Sequence, residues 1–193
     1  MGVRKERIWD RLVEDWSTCR QCELHGRIRN KVFGRGCLNA RMVFIGYGPG
    51  MSEDALGLPF IGPSGKFLDI AIADAARHLH IENVCALFLN LLRCRPCDAV
   101  NGPNRDPLPF EVDACWEALI RSLNVVHPTV AFVMGNTVQT EFAQRYVPSE
   151  LEIPMATVLG ILHPANLLRN GGVNSKSYPE YVRSIIRGMK VVY

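Results

Sequence analysis

The 193-residue sequence predicts an α/β fold, a single three-layer α/β/α domain with a four-stranded parallel sheet. Three observations carry this prediction. Met42, Val43, Phe44 and Ile45 form a short continuous apolar run ending at Gly46, the pattern of a strand covered on both faces. Three further apolar runs alternate with segments of helical periodicity, the order of successive βαβ units. No linker-like stretch divides residues 1–193, and 48% hydrophobic with 21% charged residues suits one domain with a sizeable core.

Taken in order, Trp9, Leu12, Val13 and Trp16 recur at helical spacing and predict an amphipathic helix from about Lys5 to Trp16, ending near Ser17. Cys19 and Cys22 follow, then a basic connector from Arg27 to Ala40 that contains Lys31 and Arg35. The first strand opens into the stretch Met42 to Gly65. There Gly46, Gly48 and Gly50 allow close approach of backbone to a ligand, at the carboxyl end of a strand where α/β sheets bind ligands. Ser64 is read as the cap of a helix running through Phe67, Leu68, Ala71, Ile72 and Ala75 to about Leu79. Asn83 to Leu92 is the second strand and carries Asn90. Cys94 to Pro109 holds four prolines and no periodicity, so it is ordered only if something pins it. Pro109 starts a helix bearing Cys115, Leu119 and Ile120 that ends before His127 and Pro128. Thr129 to Met134 is the third strand, Asn136 caps a helix from Thr137 to Tyr146, and Ala156 to Leu162 is the fourth strand, closed by His163 and Pro164. The last helix spans Tyr178 to Met189.

The formal net charge of +3 permits a local nucleic-acid-binding patch without demanding one. Met1 to Glu14 alternates charges and lacks the apolar core of a signal peptide or membrane span, so the expectation is a cytoplasmic protein that does not engage a membrane. Seven cysteines are many for a reducing compartment, where clustered thiols more often hold a metal or react. The Cys19–Cys22 pair, with Cys94, Cys97 and Cys115 far along the chain, suits zinc, an iron–sulfur cluster or a redox pair. Cys37 and Cys85 are read as buried residues without a role. Arg93, Arg95, Arg105, Lys66 and Arg169 each stand at or beyond the carboxyl end of a predicted strand, and convergence on one rim suits an anionic polymer. His163, Asn90 and the Gly46 to Gly50 loop would share that rim, bringing together a donor, an amide and a glycine cradle.

At this point five ordered motifs resemble those of the iron–sulfur uracil-DNA glycosylases, the family 4 branch of their superfamily. CRQCEL at Cys19 to Leu24 is similar to that family's first cluster pair, and VFGRG at Val32 to Gly36 to the segment that follows it. VFIGYGPGMSEDALGLPFIGPSG resembles GEAPG followed by acidic residues and PFVGRAG. LNLLRCRP with NRDPLP resembles NVVKCRPP with NRxP, and GILHPANLLR resembles HPSxLLR. The resemblance implies a monomeric enzyme that cleaves uracil from single- or double-stranded DNA, with a 4Fe-4S cluster held by Cys19, Cys22, Cys94 and Cys115. It implies that Phe60 stacks on the flipped base, Asn90 reads its pairing edge, His163 stabilises the departing uracil anion and Glu53 stands near the attacking water. Gly46 and Gly48 would cradle the base and Tyr47 would wall the pocket. Leu167 or Leu168 would wedge into the duplex, while Lys66 and Arg169 would meet DNA phosphates. Tyr47 stands where the family usually has Glu, Pro63 where it usually has Arg, and Cys97 lies in a longer loop. A catalytically weak DNA-binding relative and a glycosylase for another deaminated base are the alternatives that these departures leave open.

Overall fold

In the computed structural model, which describes residues 2–193, the apolar runs become short strands. A three-residue strand β1 (Gly34–Gly36) precedes β2 (Met42–Gly46), β3 (Ala86–Asn90), β4 (Val130–Met134) and β5 (Thr157–Ile161). Every position of β2, β3 and β4 is buried, as expected of strands covered on both faces. The sheet order is β1-β3-β2-β4-β5, with β2 parallel to both neighbours, β5 parallel to β4 and β1 antiparallel to β3. The fifth strand is a departure from the sequence expectation. Gly34–Gly36 has no hydrophobic pattern, and it is a strand because its backbone pairs with Leu87 to Leu89.

The helices are α1 (Gly2–Ser17), α2 (Met51–Leu56), α3 (Pro63–His78), α4 (Pro109–Val126), α5 (Asn136–Arg145), α6 (Pro164–Arg169) and α7 (Tyr178–Val192). They form two layers, and strand alternation decides which side chains enter each. Met42, Phe44, Phe88, Phe132 and Met134 pack with α3 and α7; Val43, Ile45, Leu87, Leu89, Ala131 and Val133 pack with α1, α4 and α5. Phe44 stacks on Phe132 with ring centroids 4.5 Å apart at the centre of the first layer. Among the described residues no helix is long and apolar enough to cross a membrane. The chain leaves β2 through α2 and α3 for β3 on one side, then returns through α4 to β4 on the other. The topological switch point is therefore between β2 and β4, neighbours whose outgoing connections run to opposite faces of the sheet, and the carboxyl ends of β2 and β3 lie beside it.

Three local expectations change. The N-cap of α3 is Gly62, with Pro63 at the first helical position, rather than Ser64. The proline-rich loop after β3 is pinned by a buried arginine: Arg95 pairs with Asp54 at 3.3 Å and donates to Gly102 O and Asn104 Oδ1. Cys37 and Cys85 are neither isolated nor fully buried. The Cys37 N–H donates to Ala86 O, which brings the two Cα atoms to 5.6 Å, and the pair is disulfide-bonded at the end of the sheet away from the switch point.

Candidate active site

A cavity of about 350 Å³ opens at the carboxyl end of the sheet, lined by Gly48, Gly50, Glu53, Phe60, Asn90 and His163 among others. Three strand ends and two glycine loops build it. Gly46 pairs in register with Asn90, so the ends of β2 and β3 lie side by side. A Cβ at Gly46 would stand 2.6 Å from both Asn90 Oδ1 and Phe60 Cζ; only glycine lets the ring and the amide meet there. Asn90 is 3% exposed, and its side-chain amide has no protein partner among the described residues, which leaves its hydrogen-bonding capacity for a ligand.

Phe60 sits at φ 57°, a left-handed conformation that a bulky residue adopts only when its surroundings impose it. The surroundings are visible. Its backbone lies directly on Gly65, leaving no room for a side chain there, and its ring tilts on Phe88 at 5.9 Å. Arg35 donates from Nε to Pro59 O at 3.1 Å, lies 4.2 Å over the Phe88 ring and pairs with Asp69, so it braces the loop from outside. From within, the Glu53 carboxylate accepts N–H bonds from Gly50 at 3.1 Å and Gly62 at 2.8 Å and ties the two glycine loops together.

His163 is the N-cap of α6, and its Nδ1 accepts the Ala165 N–H at 3.1 Å. With Nδ1 as acceptor, the neutral ring carries its proton on Nε2. Burial, and secondarily the charge of Arg169, lower the His163 pKa from its ordinary value, which favours this neutral form. The site thus contains an Nε2–H donor, an unpaired amide and an aromatic ring on one cavity.

A second cavity lies behind the first, on the α1 and α4 side of the sheet. Cys19, Cys22, Cys94 and Cys115 all line it, with Trp16, Arg93 and Lys31. Burial raises the pKa of Cys22 and Cys94 and pushes that of Cys115 up to about 11, so metal binding would have to displace thiol protons. Cys97 is outside this cavity, fully buried, with its thiol donating to Arg27 O at 3.4 Å. Among the described residues no three His, Cys, Asp or Glu side chains converge on a single-ion position.

The family model of the uracil DNA glycosylase superfamily matches residues 33–187. The chain belongs to this superfamily. A type-4 uracil-DNA glycosylase of Archaeoglobus fulgidus is 35% identical over 149 residues, covering 77% of this chain and 68% of that protein. A type-4 uracil-DNA glycosylase of Thermotoga maritima is 30% identical over 174 residues, 86% of each chain. The crystal structure of Pedobacter heparinus SMUG2 aligns with a TM-score of 0.49 at 15% identity, covering 80% of this chain and 76% of that one.

Against the expectations drawn from this superfamily, the structure brings Gly48, Glu53, Phe60, Asn90 and His163 onto one cavity, with Gly46 beneath Phe60 and Asn90. It places four expected residues elsewhere. Tyr47 does not line the pocket: it packs with the α1, α4 and α5 layer. Leu167 is 1% exposed in the core beside α3, so of the two leucines only Leu168 is available to a duplex. Arg93 and Arg95 are interior residues rather than rim cations, because their guanidinium groups are engaged by backbone carbonyls and polar side chains. Lys66 and Arg169 are exposed. Two contributors went unassigned in the sequence reading: Asn104, whose amide lines the cavity while Arg95 holds its Oδ1, and Arg35, the brace of the Phe60 loop. For Asn104 the signal is in NRDPLP, and for Arg35 it is in VFGRG, both segments of the family resemblance.

Proposed function

We propose that this chain is a DNA glycosylase that excises uracil by hydrolysing its N-glycosidic bond, with the base turned out of the DNA into the cavity between β2, β3 and α6. The observation that carries this reading is the joint placement of an unpaired Asn90 amide, an Nε2–H on His163 and the Phe60 ring around one cavity. A base in that cavity stacks on Phe60. The Asn90 Oδ1 accepts the uracil N3–H while its Nδ2 donates to O4; cytosine, with an acceptor at N3 and a donor at C4, leaves both groups mismatched.

As the glycosidic bond lengthens, negative charge develops on uracil and positive charge on the sugar. His163 Nε2–H donates to the pyrimidine carbonyl oxygen where the negative charge gathers, and the N–H groups of the Gly48 to Gly50 loop supply further donors. Water then adds to the sugar carbon in place of the broken bond to uracil, and the proton that it sheds ends on the uracil anion to give free uracil. Glu53 holds the two glycine loops at fixed spacing and offers its remaining lone pairs to that water, with the Asn104 amide facing the same space. The N-terminus of α3, at Pro63 to Gly65, borders the cavity and favours an adjacent DNA phosphate, as do Lys66 and Arg169. Leu168 fills the gap that the flipped base leaves. All of these groups come from one chain, and we read the enzyme as acting as a monomer in the cytoplasm.

The thiol cavity fits a 4Fe-4S cluster held by Cys19, Cys22, Cys94 and Cys115. Four cysteine thiols on one cavity are the donor set that such a cluster needs, and the likeness of CRQCEL to a cluster-binding segment is the ground for assigning iron rather than zinc. When bound, the cluster supplies covalent ties among the segment after α1, the loop after β3 and α4. Release of free uracil from single-stranded and duplex oligonucleotides by purified protein tests the function; no release from either would refute it. Iron analysis tests the metal, and zinc without iron would refute the cluster.

A further inference from the structure

Three arginines lie in or beside the loop after β3, and two of them are conventionally paired. Arg95 meets Asp54, and Arg105 meets Glu111 and Asp98. Arg93 is different. It is 2% exposed, among the largest fully enclosed side chains of the protein, and no carboxylate pairs with it among the described residues. Its acceptors are neutral: Nη1 donates to Asn90 O at 2.9 Å and Phe33 O at 3.3 Å, and Nη2 to Ala118 O at 3.1 Å and Ser122 Oγ at 2.8 Å. Its Nε has no partner. A buried guanidinium without a counter-charge is costly, and an orphaned N–H adds to that cost. The one place where compensating charge can arise is the cavity that Arg93 itself lines with Cys19, Cys22, Cys94 and Cys115. Thiolates around an iron–sulfur core leave that assembly anionic, and its sulfurs accept hydrogen bonds.

We propose that Arg93 is the counter-cation of the thiolate-held metal centre, with Nε–H donating to a sulfur there and Nη1 holding the Asn90 carbonyl, so that this centre positions the base-reading amide through one side chain. The proposal rests on the cluster reading above. Arg93 is a positioning residue; it does not touch substrate. Lys31, the other cation on the cavity, is half-exposed and donates to Ser17 O, so it cannot replace Arg93 in the interior.

The test is Arg93→Gln and Arg93→Lys in iron-loaded full-length protein, read by cluster potential in film voltammetry and by the rate of bleaching under a chelator. Loss of a nearby positive charge disfavours the reduced cluster, so Arg93→Gln moves the potential more negative, with Arg93→Lys in between. Bleaching accelerates by about tenfold or more in Arg93→Gln, the usual scale for an outer-shell partner of a metal ligand. An unchanged or more positive potential in Arg93→Gln overturns the proposal even if bleaching is faster, since a merely structural side chain would give that result. Should Arg93→Gln not fold, wild-type protein carrying isotopically labelled arginine decides: pulsed electron paramagnetic resonance of the paramagnetic cluster finds an arginine nitrogen coupled to it, and no coupling overturns the proposal. Wild-type protein without iron defeats the cluster reading itself; iron-loaded protein with indifferent variants defeats only the role of Arg93.

Discussion

His163 has two jobs in this structure, and one pair of substitutions separates them. Its Nδ1 caps α6 by accepting the Ala165 N–H, and in the proposed mechanism its Nε2–H is the donor to the leaving base in the cavity that His163 lines. Removing one preorganised donor from a site of developing charge costs about 10²- to 10³-fold in the chemical step. Removing an N-cap costs about 0.5–2 kcal/mol of stability. His163→Ala loses both, so excision should slow by about 10²- to 10³-fold. Its melting temperature should also fall, by roughly 2–4 °C per kcal/mol for a chain of this size. His163→Asn keeps a good capping acceptor but is too short to place a donor where Nε2 stands, so it should melt near wild type and be as slow as the alanine variant. Single-turnover release of uracil from a labelled oligonucleotide gives the rate, differential scanning calorimetry the stability, and a non-cleavable uracil analogue in the same oligonucleotide the binding, which should change little. Excision by His163→Asn within tenfold of wild type would refute the assignment of Nε2–H to the leaving group.

The pH profile follows from the same residue. Because the folded pKa of His163 is lowered, protonation favours the unfolded chain, so its contribution to stability is complete above the unfolded value of about 6.5 and is lost as pH falls below it. Protonating Nδ1 releases the Ala165 N–H and with it the orientation of the ring, so excision should fall at lower pH than that, at the folded pKa, and His163→Asn should lose this component of the stability profile. Gly46→Ala pushes a methyl against Asn90 Oδ1 and Phe60 Cζ and should slow excision by about 10²-fold, the cost of a misplacement of roughly 1 Å; uracil release at a wild-type rate would show that the pocket does not close on that glycine. Serine at Cys19, Cys22, Cys94 or Cys115 should lower the iron content measured by elemental analysis, whereas Cys97→Ser should not, since Cys97 lies outside the thiol cavity. Tyr47→Ala should cost about 1–3 kcal/mol of stability in denaturant titration through lost packing and should not admit thymine, a test for which thymine release from a mismatched duplex is the readout.

What was legible in the sequence was whatever a strand covered on both faces forces into an uninterrupted apolar run. Met42 to Ile45, Ala86 to Leu89 and Val130 to Met134 could be read this way, and with them the strand ends where Gly46 and Asn90 stand, whereas β5, before His163, alternates in exposure. That Asn90 and His163 come together on one cavity was legible because a polar residue that closes an apolar run at the carboxyl end of a parallel strand has few places to go. What could not be read is contact made through backbone. The strand Gly34–Gly36 exists because its amides meet β3, and glycine-rich sequence carries no trace of that. The burial of Arg93 and Arg95 depends on carbonyls at Ala118 and Gly102, which no local pattern announces.

Tyr47 shows how a correct strand can still give a wrong side chain. Side chains alternate along β2, so Phe44 faces the α3 and α7 layer while Val43 and Ile45 face α1, α4 and α5. Continued two residues past Ile45, that alternation sends Tyr47 to the layer of Val43 and Ile45, and Gly46 to the layer of Phe44, Phe88 and Phe60. Adjacency in sequence to a pocket glycine therefore argues against a pocket side chain rather than for one. Where this chain has an aromatic ring and its family usually has a carboxylate, the ring packs with the α1, α4 and α5 layer, and burial there raises the pKa of the Tyr47 hydroxyl. In the proposed mechanism the base meets Phe60, Asn90 and His163, none of which depends on a side chain from position 47, and selectivity for uracil is assigned to the Asn90 amide and the space that Gly46 leaves beneath it.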